Sequence, residues 1–291
     1  MSLSRRGLLA ASALSGLLVG CGARSDPGGA ATSTTPPTLR PPAPTRIRYG
    51  TAAESQFAEL GMPPGSPLGT VVLIHGGYWH PQHGLELMRP LARALNRLGY
   101  ASWNIEYRRI GAGGGVPTTL EDVAAAIDRL EGDGLPPRLT TGVALLGHSA
   151  GGHLAAWAAS RTDDTPGGAP RFPVRGAISL AGVLDLTRAA SSARSGGPVT
   201  AFLGGTPGEA PERYAMADPA LLVPAPCRVW ATYAEDDTVV PPEQSLRYVD
   251  LARAAGGEAE VVRVPGDHFT LIDPGAESFA TIKGLLTEAV T

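Results

Sequence analysis

Beyond residue 45 the chain alternates between short, nearly uninterrupted apolar runs and segments whose apolar residues recur every three or four positions. The runs TVVLIH (70–75), YASWNIEY (100–107), GVALLG (142–147), VRGAISLAG (174–182), CRVWATY (227–233) and AEVVRVP (259–265) predict strands. Their lack of polar alternation is what strands covered on both faces require. TRIRYG and SQFAELGMP, just before them, read as two more short strands. Between the runs, Leu87, Leu91, Leu95 and Leu98 form one helical stripe that Gly99 closes at a C′ position. Thr118 and Glu121 match a capping box opening a helix with Leu120, Val123, Ile127 and Leu130 on one face. Further helices are expected over 150–160, 243–255 and 277–290. Strand and helix in repeated alternation predict one α/β domain with a largely parallel sheet over residues 45–291. No internal repeat is apparent.

The first forty-odd residues are of different composition. Arg5 and Arg6 precede fourteen mostly apolar residues, Gly7 to Gly20. That run is short for the roughly 30 Å of a bilayer core, so residues 1–20 read as a signal peptide and not as a membrane helix. The segment around Arg5-Arg6 resembles a twin-arginine export signal. LVGC (18–21) resembles a lipobox, which implies lipidation at Cys21 and attachment to the outer face of a bacterial membrane. Residues 21–44 are rich in Pro, Ala, Thr, Ser and Gly and carry almost no apolar bulk, so they predict a disordered tether. Cys227 is the other cysteine, so no disulfide framework is possible in the mature chain, and its apolar run predicts a buried structural thiol. With 24 basic and 27 acidic residues there is no electrostatic footprint for nucleic acid.

Chemistry concentrates at the ends of the predicted strands. In LLGHSAGGH (145–153) a serine, Ser149, stands between Gly147 and Gly151 where a strand passes into a helix. A turn that sharp tolerates only small neighbours and projects the hydroxyl outward, as a nucleophile needs. A serine needs a base to take its proton, and for a nucleophile on such a turn the acid and then the histidine come later in the chain. Glu235, Asp236 and Asp237 follow the strand 227–233, and the pattern D-x-x-V-P selects Asp237, with Asp236 next and Asp185 a more distant choice. His268 follows the last strand and is the expected base. His148 packs beneath the turn or lines the substrate pocket, His153 supports the site, His80 and His83 belong to the surface or the pocket rim, and His75 orients its loop. The adjacent glycines of IHGGYWH (74–80) leave room for backbone donors, so an oxyanion hole is expected from the N–H of Ala150 with that of Gly77 or Tyr78. Trp79 and Tyr78 are expected at the pocket entrance, with the core as the alternative place for Trp79. The histidines lack metal-ligand spacing, and no cofactor is called for.

HGGYW (75–79), GHSAGG (147–152), DTVVP (237–241) and GDHF (266–269), in that order, resemble the α/β-hydrolase superfamily, and more narrowly its carboxylesterase and arylformamidase (kynurenine formamidase)-like branch. NIEYRRIG (104–111) and PTTLEDVAAAI (117–127) extend the likeness across residues 45–291. The resemblance implies a mostly parallel sheet of about eight strands, helices on both faces, and a small cap over residues 183–226, for which a solvated loop that touches no substrate is the alternative. It implies a serine esterase with Ser149, Asp237 and His268 as its triad, acting on small or medium acyl substrates. An amide or formamide hydrolase and a non-catalytic binding protein on the same fold are the alternatives left open.

Overall fold

In a computed structural model, residues 40–291 are described; Cys21, the signal peptide and most of the tether lie outside them. The chain opens with β1 (Thr45–Arg48) and β2 (Phe57–Gly61) and then enters β3 (Thr70–Ile74), α1 (Arg89–Arg97) and β4 (Ala101–Ile105). It continues through α2 (Thr118–Asp128), β5 (Val143–His148), α3 (Ala150–Ala159) and β6 (Val174–Leu180). After β6 come α4 (Leu186–Ala189), α5 (Gly196–Leu203) and α6 (Pro211–Ala217), followed by β7 (Arg228–Ala234), α7 (Glu243–Ala254), β8 (Ala259–Val264) and α8 (Ser278–Ala289). One eight-stranded sheet runs in the order β1-β2-β4-β3-β5-β6-β7-β8. Only β1–β2 and β2–β4 are antiparallel; every later pair is parallel.

Side-chain alternation on β4 shows how the faces are covered. Ser102 bonds Asn96 of α1, Trp103 donates its indole N–H to Ala126 O of α2 at 2.7 Å, and Asn104 turns back to Leu85 O at 2.9 Å. Neighbouring strand residues point to opposite faces, so α1 and α2 lie on opposite sides of the sheet. Every residue of β3, β4 and β5 is buried, which is why those segments read as unbroken apolar runs. The run 100–107 overshoots its strand: Glu106 and Tyr107 leave the sheet to support the loop after β3. The expected capping box does not form. Thr118 makes no cap bond, and Thr119 Oγ1 instead accepts from Gly115 N and donates to Arg108 O, so the entry to α2 is tied to the 108–115 loop. Gly99 does follow the α1 cap residue, at φ +98°.

Residues 183–226 are helical and packed, not a solvated loop. Phe202 and Tyr214 are buried, and Asp218, fully enclosed, accepts hydrogen bonds from Leu186 N, Thr187 N, Thr187 Oγ1 and Ala220 N at 2.7–3.1 Å. These bonds tie α4 to the end of α6. Cys227 is half-buried, and burial pushes its thiol up to about 11. No helix among the described residues is long and apolar enough to cross a membrane.

The segment between α3 and β6 is pinned by a single buried cation. Arg161 makes two parallel bonds to Asp128, at 3.0 and 2.7 Å, and its Nε donates to Gly168 O at 2.9 Å. Removing one partner of such a pair leaves an uncompensated buried charge. Arg161→Ala is expected to lower stability by about 3–5 kcal/mol in urea denaturation. Arg89→Ala, which breaks a partly exposed pair with Glu59, is expected to cost no more than about 1 kcal/mol by the same measurement.

Candidate active site

Four strand ends on one edge of the sheet deliver the polar groups. The first is the turn from β5 into α3, where two chain segments meet with no room for side chains. A Cβ on Gly147 would stand 1.9 Å from Gly151 O, and one on Gly151 would stand 2.0 Å from Ile74 O. With that contact made, Ser149 is forced to φ +56°, ψ −120°. A non-glycine residue there stores strain on the order of 1–3 kcal/mol. The strain is held by Ser149 N donating to Leu180 O at 2.8 Å and His153 N donating to Ser149 O at 3.1 Å. Ala150 is the first residue of α3, so its N–H has no acceptor within the helix.

The ends of β7 and β8 bring an acid and a histidine together. Asp237 Oδ1 accepts from Val239 N (2.7 Å) and Val240 N (2.9 Å), and its Oδ2 accepts from His268 Nδ1 at 2.7 Å. One carboxylate oxygen therefore shapes the loop while the other orients the ring, leaving Nε2 as the free nitrogen. Burial works to raise the Asp237 pKa, but the His268 bond and the two backbone donors outweigh it and hold the carboxyl below its ordinary range. Asp236 is exposed, Glu235 pairs with Arg263, and Asp185 caps α4 and bonds Arg247. His268 itself is held by its neighbours: Asp267 Oδ1 accepts from Phe269 N and Thr270 N, both at 3.0 Å.

The loop after β3 leaves the sheet at the same edge, beside the end of β5. His75 is buried, stacks on Tyr107 with centroids 4.3 Å apart, and bonds Glu106 Oε1 through Nε2 at 2.9 Å. Glu106 also accepts from Tyr107 N and Leu85 N, and Arg109 bonds His83 O. Glu106 and Tyr107 were not singled out from the sequence; the one available signal was an acid at the end of an apolar run. Gly77 stands at φ +109°, and Tyr78 and Trp79 follow at φ +55° and +57°. Tyr78 remains half-exposed on the side of Asp237; partial burial and then that carboxylate raise its phenol pKa.

Two expectations for the substrate pocket are corrected. Trp79 is 1% exposed and lies flat against Phe202 of α5 at 4.6 Å, with its edge on His153. The consecutive left-handed residues reverse the chain, so the indole enters the core while Tyr78 stays half-exposed. His148, 2% exposed, belongs to the wholly buried β5 and lies under the turn, its ring 4.6 Å from that of His268. His153 is fully buried and donates from Nε2 to Ala217 O at 2.9 Å, joining α3 to the cap. His83 is exposed and packs against Gly77, whereas His80 is half-buried. Phe269, 60% exposed and perpendicular to the His268 ring at 5.4 Å, flanks the site and had not been foreseen in that role. Among the described residues no three His, Cys, Asp or Glu side chains converge as a metal site requires.

A family model, BD-FAE, matches residues 61–251. A comparison with curated proteins finds no match. Among solved structures, a bifunctional GH43-CE protein of Bacteroides eggerthii is 22% identical with a TM-score of 0.73. The match covers 86% of this chain and 35% of that one, so this chain spans about a third of its length. Esterase B of Lactobacillus rhamnosis is 20% identical, with a TM-score of 0.73 and 86% and 85% of the two chains covered. The esterase Est2 of Thermogutta terrifontis is 20% identical, with a TM-score of 0.61 and 84% and 89% covered. The strand order and these likenesses establish the α/β-hydrolase fold.

The Glu106 anchor has a pH signature. Burial opposes its ionisation, but the His75 bond, the His75 and Arg109 charges and the Tyr107 N–H together hold its pKa below the usual value. A carboxyl with a lower pKa folded than unfolded stabilises fully above its unfolded pKa of about 4.3 and progressively less as pH falls toward the folded value. The melting temperature of Glu106→Gln is therefore expected to lie well below wild type at neutral pH. The gap should shrink in thermal scans taken below about pH 4.

Proposed function

The chain belongs to the BD-FAE family, and from that premise we propose that it is a serine hydrolase that cleaves carboxylic esters of small or medium acyl groups through an acyl-enzyme. The observation that carries this reading is the 2.7 Å bond from His268 Nδ1 to Asp237, on the sheet edge where Ser149 is held in its strained turn. The bond leaves Nε2 to take the Ser149 proton as Oγ attacks the ester carbonyl and to return it to the departing alkoxide. Asp237 fixes the ring's orientation and balances the charge that forms on it. The developing oxyanion meets the N–H of Ala150 and that of Gly77 or Tyr78. In the second half-reaction His268 activates water against the acyl-Ser149 ester, and the acid product leaves. Two similar structures bear on the chemistry: esterase B inhibited by a tributyrin phosphonate, and the Thermogutta esterase phosphonylated by sarin. The packed cap of three short helices favours a small or medium acyl chain over a long one.

We place the enzyme outside the bacterial cytoplasm, tethered through lipidated Cys21, on the strength of the LVGC motif and the Pro-rich segment behind it. Expressed with its own leader, the wild type is expected in the membrane fraction, and Cys21→Ser in the soluble exported fraction; identical partitioning would exclude the anchor.

Ser149→Ala is expected to abolish turnover of short p-nitrophenyl esters, and Asp237→Asn to lower kcat by on the order of 10⁴. Retained activity in Ser149→Ala would overturn the assignment. The same assay run on N-formyl anilides separates the ester reading from an arylformamidase: faster turnover of the anilides would replace the first by the second. A wild-type protein that neither turns over substrate nor labels with a fluorophosphonate would instead be a binding protein on this fold.

A further inference from the structure

One residue beside the nucleophile has a bond that the hydrolytic cycle above does not use. His148 precedes Ser149, and its Nε2 lies 2.8 Å from the backbone carbonyl of His268, 120 residues further along the chain. A carbonyl only accepts, so Nε2 carries the proton and Nδ1 is the bare nitrogen. That Nδ1 is buried and has no hydrogen-bond partner among the described residues. The ring is 2% exposed and tilted against the imidazole of His268, and Phe269 packs on both rings, 6.1 Å from His148 and 5.4 Å from His268. Burial first, and the nearby His268 second, lower its pKa to about 3, so it stays uncharged throughout the working range of a serine hydrolase.

The arrangement divides the holding of His268 between two groups. Asp237 grips the side chain at Nδ1, which fixes the rotation of the ring. It does not fix where the residue's backbone stands relative to Ser149. Residue 268 sits in the loop between β8 and the 3-10 turn Thr270–Ile272, and the bonds from Asp267 organise that loop only internally. The bond from His148 is the link from this loop to the chain segment that carries Ser149. Being an immediate neighbour of the serine, His148 transmits the position of the turn at the end of β5 directly to the base. A cationic donor in the same place would oppose the imidazolium formed during the reaction; a neutral donor does not.

We infer that His148 is a positioning residue, whose Nε2–H bond to the His268 backbone holds the base in register with the Ser149 nucleophile. The inference rests on the triad reading above and adds to it a residue that touches neither substrate nor the transferred proton. Losing a neutral hydrogen bond and leaving a buried carbonyl unpaired is worth about tenfold or more in rate when the loss falls on the transition state.

The test compares His148→Phe, which keeps a ring of similar size without the donor, with His148→Gln. The glutamine amide nitrogen stands the same number of bonds from the backbone as Nε2 of histidine. Steady-state kinetics on a p-nitrophenyl ester, fluorophosphonate labelling rates and melting temperatures are measured for both variants, beside wild type and Ser149→Ala. His148→Phe is expected to lower kcat and the labelling rate by about tenfold or more with KM within about twofold, and His148→Gln to recover most of that loss. The inference is overturned if His148→Phe keeps wild-type kcat, if His148→Gln is as impaired as His148→Phe, or if the loss appears in KM alone. It is also overturned if the loss in kcat follows a fall in melting temperature and vanishes when both variants are assayed well below it. An inactive wild type, or an active Ser149→Ala, would instead remove the triad reading itself, so the two failures are distinguishable.

Discussion

The architecture of the site depends on how closely two backbones approach where β5 becomes α3. Gly147 and Gly151 let that turn pass within contact distance of itself and of the end of β3, and no side chain, not even a methyl group, fits in the gap. Because the approach is so tight, the serine between them has no relaxed conformation open to it. Its unfavourable dihedral angles are over-determined by the bond to Leu180 O and by the start of a helix. The parallel sheet then brings the ends of β3, β7 and β8 to the same edge without further adjustment, as open α/β sheets do with their sites. Strain at one residue is carried by the burial of an entire sheet.

Support for this edge comes from behind it as well. His75, Glu106, Tyr107 and Arg109 form a buried cluster under the loop after β3, and Glu106 touches three separate segments of chain. His153 and Trp79 join α3, the loop after β3 and the segment 183–226 into one packed group. Most of these supporting side chains are buried behind the sheet edge.

Much of this was legible in the sequence, for identifiable reasons. The central strands announced themselves because both faces are covered, and Gly99 marked the end of α1 because only a residue free of a side chain is comfortable at φ +98°. The acid was readable because D-x-x-V-P carries its own loop: the N–H groups of Val239 and Val240 bond the same carboxylate that holds His268. What could not be read was direction. Nothing in HGGYW says that Tyr78 and Trp79 adopt left-handed angles in succession, so an aromatic expected at the mouth turned out to be core. Nor does GHSAG say where its histidine points, since its acceptor lies 120 residues away. The capping box failed for a related reason: Thr119 found better partners in the 108–115 loop than a helix end offers Thr118.

The flat contact between Trp79 and Phe202 has a consequence for how such a protein can change. Phe202 belongs to the helical segment 183–226, while Trp79 belongs to the loop after β3 and follows Gly77 and Tyr78 directly. Whatever replaces Phe202 becomes the wall against which the loop after β3 is braced. Residues 79 and 202 are thereby coupled, and a change of shape at either one is felt at the other.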